Sequence, residues 1–94
     1  MNVAQTILSQ IKAIDARALW AWGAKDLVNT GVGLQFRVGG MAKFKGLVHV
    51  KYNAGADLYT IEFSKIRKGV PTVVNAVSDV YAESLVNEID RVVQ

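Results

Sequence analysis

Three short stretches of this chain alternate apolar and polar side chains: Leu34 to Val38, Leu47 to Tyr52 and Leu58 to Phe63. Leu34, Phe36 and Val38 fall on one side of the first, with Gln35 and Arg37 on the other. Val48, Val50 and Tyr52 do the same against Leu47, His49 and Lys51, and Tyr59, Ile61 and Phe63 against Thr60, Glu62 and Ser64. A period of two is that of a half-buried strand, because successive side chains of a strand point to opposite faces. Short glycine-bearing segments join the three stretches. Parallel crossovers need about a dozen residues or more, so the pattern predicts an antiparallel meander with one apolar and one polar face.

What covers the apolar face is found at the two ends. Val3, Ile7, Ile11 and Ile14, with Leu8 beside them, recur at helical spacing, and Asn2 with Gln5 forms a capping-box-like start. This predicts a helix over residues 3–13. Tyr81, Leu85, Ile89 and Val92 form a second stripe, predicting a closing helix capped by Ser78 or Asp79. Residues 16–30 read as a short helix ending near Val28, with Gly23 limiting its length. "GVPTVVNAV" is rich in β-branched residues and reads as a fourth strand, an edge strand because Pro71 lacks an N–H. The expected fold is an α+β two-layer sandwich: an antiparallel sheet of three to four strands with N- and C-terminal helices on one face.

Ninety-four residues, 51% apolar and 20% charged, suit one globular domain over residues 1–94. A domain of this size buries a modest core, which leaves self-association into a homodimer open. Without cysteine there are no disulfides, thiolate nucleophiles or thiolate zinc sites. The N-terminal segment lacks the basic leader and unbroken apolar run of a signal peptide, and no run is long enough to span a membrane. A soluble protein of the cytoplasm, without membrane contact, is the expectation.

Catalytic motifs are incomplete. His49 is the one histidine; it falls on the polar face beside Lys51, with Arg37 and Glu62 as candidate cross-strand neighbours, and nothing in the spacing fixes an orienting partner or a pocket. Glu83 and Glu88 are not helix neighbours, so no acid/base pair follows. No metal loop and no cofactor is indicated. "GGMAKFKG" lacks the Gly-Lys-Ser/Thr ending of a phosphate loop, and both it and "GVG" lead into strands rather than helices.

Charge is more informative. Ten positive residues against four acids give residues 1–78 a balance of +6, whereas residues 79–94 carry −3. The excess peaks between Arg37 and Lys68 at +5, enough to attract a polyanion or an acidic protein. Arg37, Lys43, Lys45, Lys51, Lys65, Arg67 and Lys68 are the candidate phosphate contacts. Phe44, set between two lysines, is a candidate stacking ring, and His49 lies among them.

In order along the chain, "GAKDLV", "LQFRV", "VHVKYNAGADLYTIEF" and "DVYAESL" resemble a family of small, mostly uncharacterised proteins of phages and prophages. The matching positions are Gly23 to Lys25, Leu34 and Phe36, Asn53 with Asp57 to Tyr59 and Phe63, and Val80 with Tyr81. The resemblance spans about residues 4–90. It implies a mobile-element origin, hence the cytoplasm of a host cell, and no known activity. Asn53 and Asp57 also have a purely structural role as turn residues. The functional expectation is a non-catalytic accessory protein whose basic surface binds nucleic acid. The alternatives are an inhibitor of a host antiviral-defence protein or other host protein, acting by direct contact, and a small enzyme centred on His49.

Overall fold

The structure is a computed structural model that describes residues 2–40 and 42–94. Helix α1, Val3–Ile14, starts at the expected capping box. The Asn2 side chain accepts from the Gln5 amide at 2.8 Å, and the Gln5 side chain accepts from the Asn2 amide. A short α2, Ala18–Ala21, follows. Then come β1 (Lys25–Asn29), β2 (Gly33–Val38), β3 (Gly46–Asn53), β4 (Leu58–Arg67) and β5 (Val70–Val80), a 3-10 turn at Ala82–Ser84, and α3, Leu85–Val93.

The strands form one antiparallel sheet in the order β1-β2-β3-β4-β5. It has five strands where the alternation predicted three to four. The extra strand is β1, which lies inside the segment predicted to be helical as far as Val28. Helix α2 stops at Ala21, Gly23 takes a left-handed φ of 62°, and Lys25 to Asn29 pair with β2 across a bulge. All five β1 residues are exposed, so no buried face imposed a period of two on them. The closing helix also starts later than expected. β5 runs on through Ser78 and Asp79, and Tyr81, predicted on the apolar stripe, lies outside α3 and is 61% exposed.

The meander's apolar face is where the alternation put it. Leu34, Phe36 and Val38, then Val48 and Val50, then Tyr59, Ile61 and Phe63 are buried against Ala4, Ile7 and Ile11 of α1 and Leu85, Val86, Ile89 and Val93 of α3. Trp22 is fully buried. Its ring stacks on Phe36 at 6.1 Å, and its indole N–H donates to the Asp90 carboxylate of α3. Trp20, two residues earlier, is 83% exposed. Among the described residues, no helix is long and apolar enough to cross a membrane.

Candidate functional site

The loop between β2 and β3 folds back on the core. Ala42 is buried, and Phe44, 9% exposed, sets its ring edge-on to Phe63 at 5.9 Å. The amides of Lys43 and Phe44 donate to the Val93 carbonyl at 2.7 and 3.3 Å. Helix ends leave carbonyls without intrahelical partners, so this loop serves as the cap of α3, and a lysine beside a helix C-terminus is favoured by the dipole. The backbone is thereby pinned while Lys43 and Lys45 point to solvent. Met41, in the same loop, lies outside the described residues.

Facing the loop is the arm of the β4–β5 hairpin. β3 stops pairing with β4 at Leu47 opposite Ser64, so Lys65, Ile66 and Arg67 have only Thr72, Pro71 and Val70 as strand partners. Lys68 and Gly69 close the arm with φ of 51° and 78°. Two positive φ values define the tight hairpin turn whose twist matches that of its strands. Between loop and arm lies a groove of about 460 Å³ lined by Lys43, Phe44, Lys45, Lys65, Ile66 and Arg67. Its charged lining is four cations and no carboxylate. The ion pairs among the described residues, Lys51 with Glu62 and Arg91 with Glu88, involve none of them.

The other sequence-derived candidates sit apart from this groove. Arg37 is exposed at the same end of the sheet, opposite Leu47, and Lys68 is at the tip of the arm. Lys51 bonds Glu62 at 3.1 Å, so much of its charge is spent within the sheet face. His49 Nε2 lies 2.9 Å from the Thr30 hydroxyl, which itself donates to the Gly33 carbonyl at 3.2 Å. That makes the imidazole Nε2–H the donor to Thr30. Half-burial, and next the Lys51 ammonium, push the His49 pKa down from 6.5, against an opposing pull from Glu62. Both effects favour the neutral imidazole, so His49 adds little to the positive field. Phe44, buried against Phe63, leaves little of its ring for base stacking.

Comparison with known proteins adds nothing to this geometry. No family model, curated protein or solved structure matches the chain. The arrangement must therefore be read from its own chemistry.

A second cavity escaped the sequence reading. An open cleft of about 270 Å³ is lined by Val3, Thr6 and Gln10 of α1 with Tyr52, Asp57 and Tyr59. Tyr52 donates to Asp57 at 2.6 Å and Tyr59 to Gln10 at 2.7 Å. The bond to Asp57 raises the Tyr52 pKa above 10, and burial raises that of Tyr59. Only the proximity of α1 to the β3–β4 turn assembles these groups, and nothing in the local spacing of residues 52–59 signals a helix above them. Among the described residues, no group of three or more His, Cys, Asp or Glu side chains is placed to hold a metal ion.

Proposed function

We propose that this domain acts by binding, and that its ligand is nucleic acid held by its phosphates in the groove between the β2–β3 loop and the β4–β5 arm. The observation that carries the reading is the convergence of Lys43, Lys45, Lys65 and Arg67 around one groove with no carboxylate in its lining. Lys68, at the tip of the arm, and Arg37, exposed at the same end of the sheet, extend the positive field. Phosphate contacts supply affinity, whereas base contacts supply sequence preference. With Phe44 buried, the groove offers cations and no stacking ring, so the expected binding is sequence-tolerant and relies on the phosphate backbone. A catalytic role finds less support. His49 has no carboxylate bonded to it, because Glu62 is engaged by Lys51, and the one hydroxyl it meets, that of Thr30, directs its proton to the Gly33 carbonyl and not to the imidazole. The phage-type accessory role suggested by the sequence motifs belongs to the same proposal.

The test is fluorescence anisotropy with labelled duplex and single-stranded DNA and RNA. Four neutralised phosphates on duplex DNA give a log-log salt slope of about −3.6, so affinity should fall roughly 150-fold between about 50 and 200 mM salt. Replacing Lys65 and Arg67 together with alanine should bring the slope down to about −1.8. Lys51→Ala should leave it unchanged. Failure of every nucleic acid to bind at low salt would overturn the reading and leave an acidic protein surface as the anionic partner to pursue, as would a double variant that binds like wild type.

A further inference from the structure

β5 is an 11-residue strand with a neighbour on one side only. Val70, Val73 and Val74 are 61, 53 and 48% exposed along it. Open edges of this kind are usually kept short or charged, since an unpaired strand recruits another. The other edge, β1, is five residues long and irregularly paired. β5 is instead apolar in its middle and charged at its ends. Lys65, Arg67 and Lys68 crowd the turn that precedes it, while Asp79 near its end is followed by Glu83.

The spacing of these features is symmetric. Lys68 lies five residues before Val73, and Asp79 lies five residues after Val74. We propose that β5 is the contact strand of a two-fold dimer with a second copy of this chain, the two strands running antiparallel about an axis between Val73 and Val74. In that register Val73 meets the second copy's Val74, Pro71 meets its Ala76, and the Lys68 turn lies beside its Asp79. A two-fold contact repeats every such pair. Each end of the interface then sets a basic turn against an acidic strand end.

The backbone of β5 is compatible with this register because of the first of its two bulges. In a two-residue hairpin the residues flanking the turn, Arg67 and Val70, bond each other, so Pro71 and Val73 turn their backbone groups away from β4. Register with β4 shifts between Phe63 opposite Asn75 and Ser64 opposite Val73, leaving Val74 as the extra residue, and shifts again between Ile61 opposite Val77 and Tyr59 opposite Val80, where Asp79 takes a left-handed φ of 58°. The extra residue resets the alternation, so Ala76, rather than Asn75, is the next residue beyond it to face outward. Pro71 and Ala76, both outward, thus fall symmetrically about the Val73–Val74 midpoint. Without the bulge the same register would set outward-facing residues against inward-facing ones. Pro71 has no N–H to give, but its carbonyl accepts from the second copy's Ala76, so the proline removes one bond per pair and leaves the other.

Sedimentation equilibrium of the full chain, free of nucleic acid, tests this independently of the groove. Wild type should form a dimer at micromolar to submillimolar concentration. Lys68→Asp, which sets like charges together at both ends, should weaken it by about tenfold or more. Lys68→Asp with Asp79→Lys should recover most of that loss, since the pair is restored with its signs exchanged. Val73 is half exposed, so Val73→Lys should leave a folded monomer, verified by circular dichroism, that no longer dimerises. A wild type that stays monomeric throughout overturns the proposal. So does a dimer that Lys68→Asp and Val73→Lys leave unchanged, because its interface would then lie elsewhere.

Discussion

Trp22 ties the irregular segment between α1 and β1 to the closing helix, and Trp22→Phe measures how much that tie contributes. Two losses add. The smaller ring leaves about 40 Å³ unfilled in a fully buried site, about 1 kcal/mol at about 24 cal/mol per Å³. The Asp90 carboxylate loses its indole donor; bonds to charged groups contribute about 1.5–3 kcal/mol, and a half-buried acid that regains water falls at or below the low end. The expected cost is about 2–3 kcal/mol, a large share of the 5–15 kcal/mol typical of a domain. Melting should fall by about 10–20 °C at the usual 4–8 °C per kcal/mol for a chain of this size. Urea unfolding followed by far-ultraviolet circular dichroism avoids any dependence on tryptophan fluorescence. Asp90→Ala alone strands a buried indole N–H and should cost about 1–3 kcal/mol, yet in the Trp22→Phe background it should cost little. A coupling of about 1 kcal/mol or more is therefore expected. Costs that add to within about 0.5 kcal/mol would refute the argument, since the indole–carboxylate bond would then contribute nothing to the fold.

Two further outcomes follow from the sheet. Because the folded pKa of His49 is depressed, the unfolded chain takes up its proton at a higher pH than the fold does. His49 thus contributes stability that is full above pH 6.5 and is lost as pH falls through that value toward the folded pKa. Thermal melts across this window should show a pH-dependence that His49→Gln flattens, and an unchanged profile would assign the acid loss to other groups. Gly46→Ala would drive a Cβ into the Ser64 carbonyl oxygen on the neighbouring strand, where backbone cannot yield cheaply. It should cost at least about 2 kcal/mol, and a near-neutral urea midpoint would show that β3 and β4 have room to separate there.

The sandwich was legible wherever a buried face imposed its period on the sequence. Phe36, Val48, Val50 and Ile61 alternate because their neighbours reach solvent, Phe63 keeps the same period although Ser64 beside it is buried, and Ile7 and Ile11 recur at helical spacing because α1 lies on that same face. β1 left no such trace, since exposure on both sides removes the constraint that makes a strand readable. Leu27 and Val28 therefore read as part of a helix. Tyr81 matched the helical stripe by spacing alone, while its place is a connection between β5 and α3. For the candidate groove, local sequence supplied the cations but not their grouping. Lys43 and Lys45 meet Lys65 and Arg67 only because the 42–45 loop is held to the Val93 carbonyl and to Phe63. Lys51 and His49 were drawn into the basic set by charge and proximity in the chain. Side-chain bonds across the sheet face tie them instead to Glu62 and Thr30.

The order of the strands in the sheet is their order in the chain, and this shapes how the protein is made as well as how it stands. Each hairpin closes a short loop, so pairing can follow synthesis strand by strand with little entropy lost per step. The inner face is sealed later. Leu85, Val86, Ile89 and Val93 are all buried, so until α3 has left the ribosome the sheet keeps part of its apolar side uncovered. A chain halted before Leu85 would carry a paired but unsealed sheet, the kind of surface that chaperones and proteases recognise. Damage to the α3 coding segment should accordingly lower the amount of protein in the cell more than it alters the properties of whatever survives.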